Sequence, residues 1–300
     1  MNVLIVKLGA TGDVVRTTPL LRRFSGPVSW VTAATNKVLL DGVSPSLRTV
    51  SWEDRSRIND ATYDLVINLE DEPNVAAFVK ELRYKQLFGA YLDPQEQVRY
   101  TDDARAWFDL SLISVHGKEK ADQLKLQNRR TYQDMIFEGL GFSFAGDAYL
   151  MPPGKATDLA GDVAIAPVAG PVWPMKNWAY YDQLQQQLGK IGLKVNVLPR
   201  RQSLLEHLGD VQSHRCFVGG DSLPMHLALG GGTACVSIFN CTSPWEIHDY
   251  GVQTKLVSPL LHEFFYKRGF DPRATTAISL TEVLDATLSQ LKKNPSTPEP

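Results

Sequence analysis

Short runs of apolar, often β-branched residues alternate along the chain with stretches whose apolar residues recur every three or four positions. The first pattern predicts buried strands and the second predicts helices. In the first half, strands are predicted at 2–7, 28–33, 48–52, 63–69 and 86–91, and helices at 14–24 and 73–82. Strands that are apolar throughout and alternate with helices indicate a parallel sheet covered on both faces.

The middle of the chain follows a different pattern. Residues 102–113 and 130–140 read as two amphipathic helices, and no strand is predicted within 100–141. Five basic residues lie between or beside these helices: Lys118, Lys120, Lys125, Arg129 and Arg130. They form either a solvated helix face or a surface for an anionic acceptor or an anionic membrane.

A composition break at 151–155, which reads MPPGK, is typical of an interdomain linker. The alternation then restarts, with strands predicted at 162–168, 193–198, 215–219 and 234–239 and helices at 180–190, 224–229 and 279–291. We therefore expect two doubly wound α/β domains with a ligand cleft between the carboxyl ends of their strands. The expected bounds are 1–150 with a helical insertion at about 100–141, 155–278, a C-terminal helix at 279–293 and a disordered, proline-rich tail at 294–300.

Composition narrows the class of protein. A length of 300 residues with 43% hydrophobic residues suits two soluble domains, and a net charge of −2 gives no attraction to nucleic acid. Cys216, Cys235 and Cys241 form no CxxC pair and predict neither a metal site nor a disulfide framework. Without a recognisable signal peptide or an apolar run of about 20 residues, we expect a cytoplasmic protein with at most peripheral membrane contact.

The first chemical signal is the sequence KLGATGD, which joins the first strand to the first helix. Gly9 and Gly12 allow a tight backbone and the close approach of a ligand, although the spacing matches neither a Walker A loop nor GxGxxG. Asp13 lies near the helix start, at the sheet edge where α/β proteins place their sites. It is either an ordinary helix N-cap or a functional carboxylate.

The second half repeats this arrangement in the sequence VGGDSLPMH. A strand ends in two glycines, Asp221 or Ser222 is expected to cap, and Pro224 occupies an early helical position. Such a helix start suits a phosphate, and His226 lies within about one turn of it. An ordinary cap and a buried core histidine are the alternatives. Lys176, in the loop after the strand predicted at 162–168, offers a point charge for the same phosphate.

Together the segments KLGATGDVVRTTPLL, KNW and VGGDSLPMHLAL resemble the ADP-heptose:lipopolysaccharide heptosyltransferases of glycosyltransferase family 9. The resemblance implies the GT-B fold, two Rossmann-like domains facing a central cleft, and metal-independent, inverting transfer of a heptose or related sugar. It implies a nucleotide-sugar donor as co-substrate, a saccharide or glycoconjugate acceptor, and no cofactor or nucleic acid. Lipopolysaccharide-type biosynthesis is the expected setting.

The same resemblance assigns roles residue by residue. Asp13 matches the catalytic base, and Lys176 the lysine that neutralises the donor phosphate during the reaction. The residues expected to bind the donor are Gly9, Thr11, Gly12, Lys176, Asp221, Ser222, Leu223 and His226.

The chain also departs from the family pattern. Leu223 stands where the family has glycine, and residues 259–273 replace a cysteine-rich stretch. The segment 199–203, which contains Arg200 and Arg201, lacks the usual glycine-rich turn and acid that read the nucleotide, and the helix and strand after it are shortened. A catalytically degenerate binder of nucleotide or of a partner is therefore one alternative. A metal-dependent transferase that uses Glu70, Asp71 and Glu72 in the manner of a DxD site is another.

Overall fold

The computed structural model describes residues 1–293 and divides the chain into two compact units. Unit 1 is Met1–Pro152, and unit 2 begins at Pro153. The tail at 294–300, for which the sequence predicts disorder, lies outside the described residues.

Unit 1 is built on a six-stranded sheet of order β3-β2-β1-β4-β5-β6. Its strands are β1 (Val3–Val6), β2 (Val28–Thr32), β3 (Leu47–Ser51), β4 (Thr62–Asn68), β5 (Arg83–Leu92) and β6 (Val98–Tyr100). The first five are parallel, and β6 pairs antiparallel with β5 at the edge. The order 3-2-1-4-5 is that of a Rossmann domain.

Both faces of this sheet are buried, as the apolar strands predict. Val3 and Ile5 of β1 pack into one hydrophobic cluster, and Leu4 and Val6 pack into another on the opposite face. Successive side chains of a strand point to opposite faces, so a strand that is apolar throughout needs cover on both.

Five α-helices accompany the sheet: α1 (Thr11–Thr17), α2 (Pro73–Lys80), α3 (Arg105–Phe108), α4 (Lys118–Gln127) and α5 (Tyr132–Gly139). The predicted helix at 14–24 is wrong in its bounds, because α1 is followed by a separate 3₁₀ helix at Thr18–Arg23. Pro19 lies in the first turn of that 3₁₀ helix. Proline cannot donate the backbone hydrogen bond that would continue an α-helix.

The insertion at 100–141 also differs from its prediction. The helix predicted at 102–113 is a 3₁₀ turn at Asp102–Ala104 followed by the four-residue α3. Three of the basic residues, Lys118, Lys120 and Lys125, belong to α4 itself and do not lie between helices.

Unit 2 contains a parallel five-stranded sheet of order β11-β10-β9-β7-β8. Its strands are β7 (Gly161–Ala166), β8 (Val195–Val197), β9 (His214–Gly220), β10 (Ala234–Phe239) and β11 (Gln253–Val257). Counted within the unit, the order is 2-1-3-4-5, the second common order of doubly wound sheets. The connection from β8 to β9 contains one helix and, among the described residues, no strand. The third strand of the unit, β9, therefore pairs directly with β7.

The helices of unit 2 are α6 (Tyr181–Lys190), α7 (Leu204–Gln212), α8 (Leu223–Gly231), α9 (Leu261–Phe264), α10 (Pro272–Thr276) and α11 (Leu280–Lys293). The sequence patterns missed β11, α7, α9 and α10. Apolar residues of α6 and α11 pack on β7, β9 and β10 in one cluster that includes Leu184 and Val283. Within residues 1–293, no helix is both long and apolar enough to cross a membrane.

Candidate active site

The loop that follows β1 is held by a carboxylate of its own chain. Glu70, two residues after β4, accepts hydrogen bonds at Oε1 from the amides of Leu8 (2.6 Å) and Gly9 (3.2 Å). The same Oε1 lies 2.9 Å from the ammonium group of Lys7. Glu70 is buried, so its carboxylate is not an exposed charge in a surface turn. It fixes the path of the backbone into α1.

Asp13 is the third residue of α1 and not its N-cap. Ala10 occupies the cap position, and the amides of Asp13 (2.8 Å) and Val14 (3.1 Å) donate to its carbonyl. The Asp13 side chain is 33% exposed, and its Oδ1 lies 2.9 Å from Nη2 of Arg16. The carboxylate is therefore oriented by a neighbour and still accessible to solvent.

Arg16 is held more tightly than its partner. Its side chain is only 8% exposed. Its guanidinium carbon lies 4.2 Å from the ring centroid of Tyr132 and 5.6 Å from that of Trp107. The Tyr132 hydroxyl is 2.8 Å from Oγ1 of Thr17, which donates to the carbonyl of Asp13 at 2.6 Å. Helix α5 and the α3 segment thereby brace the helix that carries Asp13.

The remaining residues of the first motif are placed locally. The Thr11 hydroxyl donates to Oδ1 of Asn36 at 2.8 Å, and Nδ2 of Asn36 donates to the carbonyl of Leu8 at 2.7 Å. Gly12 is buried within α1, while a Cβ on Gly9 would meet open space. Gly9, Thr11 and Gly12 all belong to unit 1 and shape the loop that presents Asp13. Their predicted contact with a donor stays a prediction.

Asp13 lies on a cavity of about 540 Å³ within unit 1. One wall comes from the β1–α1 loop and the acidic turn after β4, and the other from the α3 segment. The lining residues are Lys7, Leu8, Gly9, Ala10, Asp13, Leu69, Glu70, Asp71, Glu72, Trp107, Phe108 and Ser111. The cavity is large enough for a small polar molecule.

The electrostatics of this cavity are dominated by carboxylates. Burial alone would lower the pKa of Lys7, but the charges of Asp13 and Glu70 outweigh it and raise that pKa. Burial first, and then the charge and hydrogen bond of Glu70 and the charge of Asp71, raise the pKa of Glu72. Within the described chain, His, Cys, Asp and Glu side chains form no group of three placed to hold a metal ion.

The second motif brings together Lys176 and Asp221. The Lys176 ammonium donates to the Asp221 carbonyl at 2.7 Å and to its Oδ2 at 3.0 Å. Their side chains are 15% and 16% exposed. The glycines before Asp221 permit this approach, since a Cβ on Gly220 would lie 3.0 Å from the Lys176 carbonyl oxygen.

The surroundings of Asp221 favour its ionised form. Burial would raise its pKa, but the charges of Lys176 and His226 and a hydrogen bond from Thr242 hold the pKa of Asp221 well below its ordinary range. Thr242 follows β10, the strand next to β9. From the same segment, Nδ2 of Asn240 donates to the Met175 carbonyl at 3.1 Å and so fixes the turn that carries Lys176.

Ser222 is the N-cap of α8, and Leu223 and Pro224 are its first helical residues. The Ser222 hydroxyl donates to the Gly220 carbonyl at 3.4 Å. His226 is buried in the first turn of α8. The structure therefore gathers Lys176, Asp221, Ser222, Leu223 and His226 at one helix start.

The segment 199–203 does not present Arg201 to a ligand. The Arg201 guanidinium makes hydrogen bonds of 2.7 and 2.9 Å to the two oxygens of Asp210, and one of 2.9 Å to Asp158. Asp210 is completely buried in α7. This pairing anchors the shortened β8–α7 connection, which gives Arg201 a structural role.

Comparison with solved structures identifies the fold of the chain. A family 9 glycosyltransferase from Veillonella parvula matches with a TM-score of 0.71 at 17% identity, over 97% of each chain. The chain has the fold of glycosyltransferase family 9. This is an α/β architecture of the GT-B type with two parallel-sheet domains, so the predicted fold class is confirmed and the resemblance is confirmed at the level of the fold.

Two Escherichia coli heptosyltransferases show the same fold. WaaC with ADP-2-deoxy-2-fluoro heptose matches with a TM-score of 0.61 at 15% identity, over 98% of this chain and all of WaaC. ADP-heptose LPS heptosyltransferase II matches with a TM-score of 0.62 at 14% identity, over 98% and 99% of the two chains. No protein-family model matches the sequence, and no curated protein matches it significantly.

The sequence patterns did not identify several residues of the site. Arg16 is three residues after Asp13, on the same helix face, which is a signal that spacing could have provided. Lys7 is a lone charge at the carboxyl end of a buried strand, a position that marks sites in α/β proteins. Thr242 and Asn240 follow β10 in the same way. Trp107 falls within the amphipathic helix predicted at 102–113, and its place at the cavity depends on tertiary packing.

Proposed function

We propose that the chain is an inverting glycosyltransferase that moves a sugar from a nucleotide-diphosphate donor to an acceptor hydroxyl. The observation that carries the proposal is the accessible Asp13 carboxylate on a cavity, in a chain with the fold of glycosyltransferase family 9. WaaC was solved with an ADP-heptose analogue, so ADP-heptose is the first donor to test here. Glycoconjugate or lipopolysaccharide-type biosynthesis is the proposed setting.

Asp13 is the proposed base. Inverting transfer is an in-line displacement at the anomeric carbon, and the acceptor hydroxyl loses its proton as the new bond forms. Arg16, braced by Tyr132 and Trp107, keeps the carboxylate in one orientation. Proton transfer to a carboxylate paired with arginine is favourable only late, when the hydroxyl has become acidic through bonding to the anomeric carbon.

Lys176 and the start of α8 are the proposed diphosphate site. Asp221 occupies two hydrogen bonds of the Lys176 ammonium, and an ammonium group has three donors. The third donor and the positive end of the α8 dipole are suited to the charge that develops on the departing diphosphate. Ser222 and His226 line the same helix start. We propose that Gly9, Thr11 and Gly12 act through the placement of Asp13 and the donor sugar.

A screen of nucleotide sugars tests the proposal. The purified chain is heated with ADP-, UDP-, GDP- and CMP-linked sugars, and a donor that binds the folded state raises the midpoint of unfolding. The stabilising donor is then incubated with candidate acceptors, and NMR of the product reports the anomeric configuration. Inverted product supports the proposal. A bound donor that is never transferred to any acceptor favours the degenerate binder instead.

Metal dependence separates the proposal from the DxD alternative. The leaving group is met by a lysine and helix amides, so we expect equal rates in excess EDTA and in Mn²⁺ or Mg²⁺. A rate that requires Mn²⁺ and is lost in Asp71→Asn or Glu72→Gln would establish the metal-dependent mechanism.

A further inference from the structure

The Asp13 cavity has two walls of different chemistry. Trp107 and Phe108, from the α3 segment, give one wall aromatic character. Asp13, Asp71 and Glu72 add carboxylate oxygens, which accept hydrogen bonds, to the rest of the lining. A sugar ring presents an apolar C–H face to an aromatic side chain and hydroxyl donors to acceptors, so this pairing of walls fits a saccharide.

Among the residues that the structure describes, the four carboxylates that line the cavity outnumber the three cations in or near it. Lys7, the one cation among the described lining residues, lies 2.9 Å from Glu70. Arg16 lies 2.9 Å from Asp13 behind the wall. Lys125 lies 5.9 Å from the Trp107 ring centroid and is not a lining residue. After these pairs are counted, Asp71 and Glu72 leave an excess of negative charge at the cavity.

Neighbouring carboxylates raise the pKa values of two groups at the cavity. The pKa of Glu72 is raised by burial and then by the neighbouring charges of Glu70 and Asp71. The pKa of Lys7 is raised in spite of its burial, because Asp13 and Glu70 stabilise its charged form. A further anion placed in this cavity would be repelled by the carboxylates that line it.

We propose that the cavity binds an uncharged sugar residue as the acceptor, stacked on Trp107 and hydrogen-bonded to the carboxylate wall, and that it rejects a sugar bearing a carboxylate or phosphate beside the reacting hydroxyl. The role as acceptor rests on the proposed function. The binding preference does not, because it follows from unit 1 alone and needs no donor.

Matched pairs of methyl glycosides test the preference directly. Each pair consists of a neutral hexopyranoside and the uronate in which a carboxylate replaces the hydroxymethyl group, in the gluco, galacto and manno series. Binding to the full chain without nucleotide is measured by ligand-observed NMR titration. The neutral member of at least one pair should bind about three- to tenfold more tightly than its uronate, the effect expected of one like charge that solvent partly screens.

Variants assign the preference to the cavity walls. Asp71→Asn with Glu72→Gln should bring the two affinities of a pair within about twofold, and Trp107→Ala should weaken the neutral sugar by about tenfold. Glu53→Gln is the matched control, since Glu53 is a carboxylate of unit 1 that lines a separate cavity. It should change neither affinity nor preference.

Three results would overturn the proposal. They are tighter binding of the uronates, binding unaffected by Trp107→Ala, and no binding of any neutral sugar at saturating concentration. Failure of the proposed function would appear elsewhere, as an absence of nucleotide-sugar binding and of transfer, with the sugar preference of unit 1 intact.

Discussion

The two strand–glycine–aspartate–helix junctions share a local sequence pattern but present different chemistry. Asp13 follows β1, lies inside the seven-residue α1 and is 33% exposed beside Arg16 of its own helix. Asp221 follows β9, precedes the nine-residue α8 and is 16% exposed beside Lys176 of another loop. One carboxylate remains accessible, and the other is used to orient a lysine.

The difference teaches that the partner decides the role of each aspartate. Asp13 pairs with an arginine of its own helix, is 33% exposed and lines the cavity. Asp221 pairs instead with a lysine from the β7–α6 loop, and in the proposed function Asp221 orients Lys176, which meets the diphosphate. Substitutions at each junction test this division of roles.

Asp13→Asn should have the largest effect. The amide keeps the shape of the side chain but cannot accept the proton of the acceptor, so transfer should fall by about 10²–10⁴-fold. The rate of transfer and the thermal midpoint are both measured. Asp102→Asn, at an exposed carboxylate of the same unit, is the control and should change neither the rate of transfer nor the thermal midpoint. Full turnover with a lowered midpoint would give Asp13 a purely structural role.

Lys176→Ala should weaken the nucleoside diphosphate by about ten- to a hundredfold, since a charge-assisted contact contributes roughly 1.5–3 kcal/mol. The free nucleoside should bind almost as well as to the native chain, because it lacks the charge that Lys176 meets. Calorimetric titration with both ligands measures the difference, and Lys190→Ala, at an exposed lysine ending α6, is the matched control. Equal losses for the two ligands would place Lys176 outside the phosphate site.

Arg16→Met should slow transfer by about tenfold without changing nucleotide affinity, because it frees the Asp13 carboxylate to change orientation. Arg16→Lys restores the charge but not the planar group stacked on Tyr132, so it should recover only part of the rate. With the positive neighbour removed, the acidic limb of the pH–rate profile should move to higher pH.

Arg55→Met supplies a matched control for Arg16, because Arg55 also stacks on an aromatic ring of unit 1, at 4.1 Å from the Trp52 centroid. It should lower stability without altering the rate profile. If Arg16→Met does the same, Arg16 stabilises the fold and does not position the base.

Leu223→Gly should have the smallest effect. Leu223 is the first residue of α8, and a glycine there would let a phosphate approach the backbone more closely. Nucleoside diphosphate should bind about two- to fivefold more tightly, a gain of roughly 0.4–1 kcal/mol, while stability falls by up to about 1 kcal/mol. Unchanged or weaker binding in the titration would mean that Leu223 does not crowd the ligand.

The alternation of strands and helices and the two junctions can be predicted from the order of residues alone. Apolar residues on both sides of β1, β4 and β7 require a covered parallel sheet, and a glycine pair followed by Asp-Ser-Leu-Pro specifies a strand that turns into a helix. These are local consequences of side-chain size, polarity and backbone freedom, so they can be read in chain order.

Only the tertiary structure decided which groups meet. Glu70 lies 61 residues from Gly9, and Lys176 lies 45 residues from Asp221, so no spacing pattern predicts either contact. The 3₁₀ turn at Asp102–Ala104, the short α3 and the 2-1-3-4-5 order of unit 2 likewise depend on how each segment packs on its sheet. Charge pairing and burial act through space, whereas sequence patterns report only neighbours along the chain. Folding therefore gives Asp13 and Asp221 their different partners.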